Sequence, residues 1–192
     1  MKSKFESFIP LMATDEYQFI EKYLNKNDIL LEWGCGNSTI YYSDMVKKLI
    51  SIEHDIDYFN FIKNAINAYN IKNIKQIHIP AHFPIPNPTR YEQFKDYIEY
   101  PSKNNLKFNK VLIDGRGRIY CAFSIVNMID ENVIVMIHDF NRQEYQYVLD
   151  YYDIIERITH TRQGIVALKK KSNIIFDIDN IKLIPYIDSY YA

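Results

Sequence analysis

Glycine is scarce in this chain and cysteine scarcer: 5 glycines and 2 cysteines in 192 residues, where glycine alone usually makes up roughly 7%. So little glycine excludes collagen-like and linker-rich architectures. Cys35 and Cys121 cannot build a disulfide framework, and both read as small buried fillers. No apolar run approaches the ~18–20 residues that a membrane span needs. Met1–Lys4 carries no secretory leader pattern, so the expectation is a reduced, cytoplasmic protein without a membrane span. An excess of one charge is missing too. Lys+Arg 23 against Asp+Glu 24 leaves a net −1, which is not the basic footprint of a nucleic-acid partner.

What is present is a chain long enough for one domain with a real core, in which short aliphatic runs alternate with helical stripes. Thr14 is placed to cap a helix with Asp15 and Glu16 in its first turn and Tyr17, Ile20, Tyr23 and Leu24 at helical spacing. Strands are expected at Asp28–Trp33, Leu49–Glu53, Ile74–Ile79, Lys110–Asp114 and Asn132–Ile137. Helices are expected after the first, second, fourth and fifth of these, at 37–48, 56–69, 118–129 and 142–152. Ile154–His160 and Gln163–Lys169 suit an antiparallel hairpin around Thr161-Arg162. Together they predict a doubly wound, Rossmann-like α/β sheet, mostly parallel with an antiparallel C-terminal hairpin strand and helices on both faces. One domain spans 1–192. It includes a helical N-terminal extension (1–27) and a C-terminal extension (172–192) that could be an edge strand, a packed tail or a homo-oligomer contact. Residues 80–108 contain Pro84, Pro86, Pro88 and Pro101 and are too long for an idle connection. They read as an insertion with a short helix, a lid over a ligand site. The aromatics Tyr91, Phe94, Tyr97 and Tyr100 there would either offer flat apolar surfaces to a ligand or pack on the core.

Four of the five glycines fall on two loops, Gly34 and Gly36 on one, Gly115 and Gly117 on the other. Ligands of open α/β sheets bind beyond the carboxyl ends of the strands, and each central strand but one carries a carboxylate there: Glu32, Glu53, Asp114 and Asp139. The first loop resembles a dinucleotide-binding Gly-x-Gly-x-x-Gly, but Thr39 replaces the third glycine and Glu32 precedes it. A carboxylate there would repel a pyrophosphate and favour a cationic cofactor such as S-adenosylmethionine, with Glu53 placed to accept the hydroxyl hydrogens of a ribose.

Leu31-Glu32-Trp33-Gly34-Cys35-Gly36-Asn37-Ser38-Thr39 resembles the first motif of class I S-adenosylmethionine-dependent methyltransferases, and Ile52-Glu53 their second. Leu112-Ile113-Asp114-Gly115-Arg116 with Arg118 and Cys121, and Ile137-His138-Asp139-Phe140 with Arg142 and Tyr145, resemble a narrower group of small O-methyltransferases associated with polysaccharide and surface-glycan assembly. The resemblance covers roughly residues 28–170. It implies that Glu32 meets the methionine amino group, that Gly34, Cys35, Gly36 and Ser38 admit the cofactor, and that Glu53 binds the ribose. Ile79-Pro80 stands where many members carry an acid for the adenine, so no adenine contact is assigned.

The implied reaction transfers a methyl group to a carbohydrate hydroxyl, on a glycan or sugar nucleotide, leaving S-adenosylhomocysteine. Alignment supplies the large term, and a hydroxyl also needs a base or a metal. Asp114, His138 and Asp139 are the candidates, either as base and partners or as ligands of Mg²⁺ or Mn²⁺. Some metal-dependent sugar enzymes carry an acid where this chain has Arg116. Arg116, Arg118, Arg142 and Tyr145 are candidate acceptor contacts, although the arginines could equally neutralise the acidic rim. His54 reads as a loop residue. The competing readings are methylation of a small phenol or a protein, and a binding module that keeps the cofactor pocket without turnover.

Overall fold

The computed structural model describes residues 3–83, 88–160, 163–177 and 180. Seven strands, β1 (Ile29–Trp33), β2 (Lys48–Glu53), β3 (Ile74–His78), β4 (Lys110–Ile113), β5 (Ile134–His138), β6 (Tyr152–Thr159) and β7 (Gly164–Lys170), form one sheet in the order β3-β2-β1-β4-β5-β7-β6. The first five strands pair in parallel, and β7 runs antiparallel to both β5 and β6. This is the expected doubly wound sheet with its antiparallel C-terminal hairpin. Among the described residues no helix is long and apolar enough to cross a membrane.

The central strands are apolar on both sides because helices cover both faces, and the period of two sorts their residues. Leu31, Trp33, Val111, Ile113, Val135 and Ile137 join a core with α4 (Arg90–Lys103) and α5 (Arg118–Ser124). Leu30, Leu112 and Met136 point the other way, to α1 (Thr14–Tyr23) and α2 (Asn37–Ser43). Glu32 falls on the α2 side by the same alternation, in register with Ser51. The remaining helix, α3 (Ile56–Ala68), is capped by Asp55, whose side chain accepts from the amides of Asp57 and Tyr58.

Several boundaries differ from expectation. Thr14 is the first residue of α1 and not its cap; Glu16 reaches back to the Ala13 amide at 3.0 Å instead. The helix expected to run to Lys48 stops at Ser43, α5 gives way to a 3-10 turn at Val126–Met128, and Gln143–Asp150 is 3-10 rather than α. The stretch 80–108 holds the helix expected there, and its aromatics take the core-packing alternative. Its helix α4 has 14 residues, and Tyr91, Phe94, Tyr97 and Ile98 are buried in the core. The tyrosines therefore serve the sheet rather than a sugar ring, and Pro101 is accommodated near the helix end past a kink at Phe94. Pro84 and Pro86, the turn Thr161-Arg162 and most of the tail at 172–192 lie outside the described residues.

Candidate active site

The strand order reverses between β1 and β4, and the loops leaving these two strands touch. Gly34, at φ +92°, packs so tightly on Gly115 that a Cβ on it would come within 2.7 Å of the Gly115 backbone. Neither position can carry a side chain, which is why both loops spend a scarce glycine here. Beyond the junction a cleft of about 770 Å³ opens, a size suited to a nucleoside-sized ligand and an acceptor. Gly34, Cys35, Gly36, Ser38 and Glu53 line one end; Asp114, Arg116, Arg118, Asp139 and Arg142 line the other. Sequence reasoning missed part of the wall: Pro10, Leu11 and Met12 from the N-terminal extension, and Asp55 and Tyr58 at the start of α3.

At the first end, Glu53 holds the loop. Its Oε2 accepts the Cys35 amide at 2.6 Å and its Oε1 the amides of His54 and Asp55 at 2.8 and 2.7 Å, with His54 Nδ1 also 2.8 Å away. Burial opposes the charge, but the His54 side chain and the amides of Asp55 and Cys35 outweigh it and keep the carboxyl below its ordinary range. At most one of its roughly four acceptor positions is left for a ligand hydroxyl, so a grip on both hydroxyls of a diol would require an amide to let go. Glu32 does not reach the cleft. It is fully buried, accepting from Ser38 Oγ at 2.6 Å and Thr39 Oγ1 at 2.5 Å. Burial pushes its carboxyl up to about 7 against the hydrogen bonds that favour the charge. Gly36 is the open position: a Cβ there would meet no protein atom within 4 Å. Its φ of −175° is extended backbone that any residue adopts, so neither strain nor crowding within the protein demands glycine there.

At the other end, Asp114, His138 and Asp139 come together as expected. His138 Nδ1 lies 2.9 Å from Asp114 Oδ1 and 3.9 Å from Asp139 Oδ1, and its Nε2 lies 3.2 Å from Glu16 Oε2. Burial would lower the imidazolium, but the Asp114 carboxylate overrides it and raises His138 to about 9. Asp114 is correspondingly held low: burial works against its charge, and His138, Arg118 and Arg142 outweigh burial. Arg118 acts as a staple. It donates to Gly115 O at 3.0 Å, His138 O at 2.6 Å and Asp139 Oδ2 at 2.9 Å, and its Nη2 lies 3.2 Å from Asp114 Oδ1. Asp139, in the left-handed region at φ 60°, also accepts from Arg142 at 3.1 Å. A strained aspartate at a strand end is a frequent mark of a functional site.

Two arginines thus neutralise the acidic rim. Arg118 and Arg142 still edge the cleft, as does Arg116. Tyr145 is buried and does not line it; its ring lies under the Arg142 guanidinium at 5.5 Å. The three residues considered for a divalent ion do not fit one. Among the described residues no three His, Cys, Asp or Glu side chains are disposed to hold a metal. Asp139 spends an oxygen on two guanidinium groups, and both His138 nitrogens face carboxylates. Hard cations would in any case prefer oxygen ligands to that imidazole. Glu16 was missed as a site residue because its acid in a first helical turn reads as ordinary capping.

No protein-family model and no curated protein matches the chain. Solved structures do. A methyltransferase-like protein from Silicibacter pomeroyi superposes with a TM-score of 0.68 at 16% identity, over 92% of this chain and 94% of that one. The fold is that of the class I methyltransferases. An rRNA methylase from Streptococcus thermophilus has a TM-score of 0.60 at 11% identity, covering 84% and 99% of the two chains. A methyltransferase from Streptococcus mutans described as putative, solved with S-adenosylhomocysteine, gives 0.58 at 12% identity over 84% and 100%. Residues 31–39 run from the end of β1 through its loop into α2, at the same sheet edge as the cleft.

Proposed function

We propose that the protein is an S-adenosylmethionine-dependent O-methyltransferase whose acceptor is a carbohydrate hydroxyl. The observation that carries the reading is the cleft at the β1–β4 junction, with Gly36 open at one end and the Asp114 carboxylate at the other. The residues fit the cofactor at Gly36, whose side of the loop is open space on the cleft, and at Glu53, whose ionised carboxyl holds the neighbouring Cys35 amide. The acceptor end favours a hydroxyl-rich molecule over a flat phenol. Asp114, Arg116, Arg118, Asp139, Arg142 and Gln163 line it, all of them charged or polar. The near-neutral chain argues against nucleic acid.

When bound, S-adenosylmethionine supplies a methyl group on a sulfonium and a neutral leaving group. The protein's own residues bind, align and take up one proton. Asp114, its oxygen Oδ1 pinned by His138 and Arg118, orients the acceptor hydroxyl. Asp114 would take up the proton that the acceptor hydroxyl gives up on transfer. Asp114→Asn is expected to bind S-adenosylhomocysteine within twofold of the wild type and to slow methyl transfer to a carbohydrate by about 10²–10⁴-fold. Undiminished transfer would reject Asp114 as the base. EDTA is expected to leave the rate unchanged, and loss restored by Mg²⁺ or Mn²⁺ would contradict the reading of the acidic cluster.

A further inference from the structure

We propose that Glu16, in the first turn of α1, is a positioning residue of this site: it holds His138 by the nitrogen remote from Asp114 and thereby fixes Asp114 for the acceptor. The inference rests on the methyltransferase reading. It starts from a carboxylate that capping alone does not explain. Glu16 is fully buried, and its Oε1 has no hydrogen-bond partner among the described residues. A capping box works equally well at the surface, whereas a buried acceptor left unpaired costs stability. The other oxygen, Oε2, takes the Ala13 amide at 3.0 Å and lies 3.2 Å from His138 Nε2.

The consequence for the imidazole is geometric. With Asp114 alone as neighbour, the ring could leave Nε2 unpaired and swing about its Cβ. With a carboxylate at each nitrogen, both nitrogens donate and the ring is fixed in its plane. The other charged groups facing it are Asp139, from the end of its own strand, and Arg118, from α5. Glu16, Asp114 and Asp139 are thereby set against His138, Arg118 and Arg142, acids and bases equal in number. Ala13 directly follows Pro10–Met12, which form a wall of the cleft. One carboxylate therefore ties that wall to the histidine behind the proposed base.

The test uses Glu16→Gln, because glutamine keeps the capping box and the side-chain volume while removing the charge. In ¹⁵N-histidine NMR at pH 7.5, His138 is expected to carry protons on both ring nitrogens in both proteins, since Asp114 remains in place, with the Nε2 proton exchanging with water faster in the variant than in the wild type. Methyl transfer by the variant should show kcat lower by about 10–100-fold through misplacement of Asp114, with acceptor KM and S-adenosylhomocysteine affinity within twofold. A wild-type His138 with a single ring proton, or a variant with unchanged kcat, overturns the proposal. If the variant does not fold, a wild-type Nε2 proton too short-lived to observe still overturns the proposal. Failure of the wild type to bind S-adenosylhomocysteine would speak against the methyltransferase reading, while the lifetime of the Nε2 proton still reports on Glu16.

Discussion

A methyl group placed on Gly36 would meet nothing, whereas the same group on Gly115 would collide with Tyr97 Oη and sit 2.9 Å from Gly34 N. The two glycines therefore make opposite predictions. Gly36→Ala should leave the melting temperature within about 1 °C of wild type, since surface changes without strain are near neutral, yet weaken S-adenosylhomocysteine at least tenfold. Gly115→Ala should destabilise by about 1–3 kcal/mol through overpacking, a fall of roughly 2–12 °C for a chain of this size. Equal behaviour of the two variants would contradict the assignment of Gly36 to a ligand. The His138 network adds a pH signature. With its proton held to about 9 in the folded protein, His138 contributes stability that is complete below its unfolded value of about 6.5 and lost as pH rises through 9. Asp114, held low, contributes stability above the usual carboxylate range and loses it on acidification. Between pH 6.5 and 9 the wild-type melting temperature should fall more steeply than that of His138→Gln; parallel curves would show that the histidine is not held as a cation. At this scale the sequence was informative where a residue acts through its own strand end. Glu53, Asp114 and Asp139 were legible because a run of aliphatics delivers them to the rim. Glu16 was not, because its partner lies 122 positions away and no local pattern links them.

At the scale of elements, α4 is the instructive case. Its apolar positions, Tyr91, Phe94, Ile98 and Pro101, recur at helical spacing, and the prolines around them read as an insertion with a short helix covering the sheet edge. The capping box at Thr89 and Glu92 and burial against α5 and β1 turn the segment into a core helix. Ile98→Ala, at a position with no exposure, should therefore cost about 2–5 kcal/mol and lower the melting temperature by roughly 4–20 °C. A lid residue would instead change kinetics and leave the melting temperature alone. The 3-10 segment Gln143–Asp150 was read as an α-helix because its apolar spacing is compatible with both; Tyr145 and Val148 supply the stripe at i and i+3. Strands were the easiest to read, since β-branched runs buried on both faces admit little else.

Across the whole molecule, the strand order explains how Gly34 and Gly115, 81 positions apart, share one cleft: β1 and β4 are neighbours, and their two glycine loops meet at the switch point. The N-terminal extension completes the site twice over, by the wall at Pro10–Met12 and by Glu16. It looked peripheral in sequence because α1 contributes no strand and carries no motif. The central claim is that this cleft takes S-adenosylmethionine. Calorimetric titration of the wild-type protein with S-adenosylhomocysteine and, separately, NAD tests it most directly. Saturable one-site binding of S-adenosylhomocysteine, lost in Gly36→Ala and absent for NAD, is the predicted result; no heat with S-adenosylhomocysteine, or binding of NAD in its place, would contradict it.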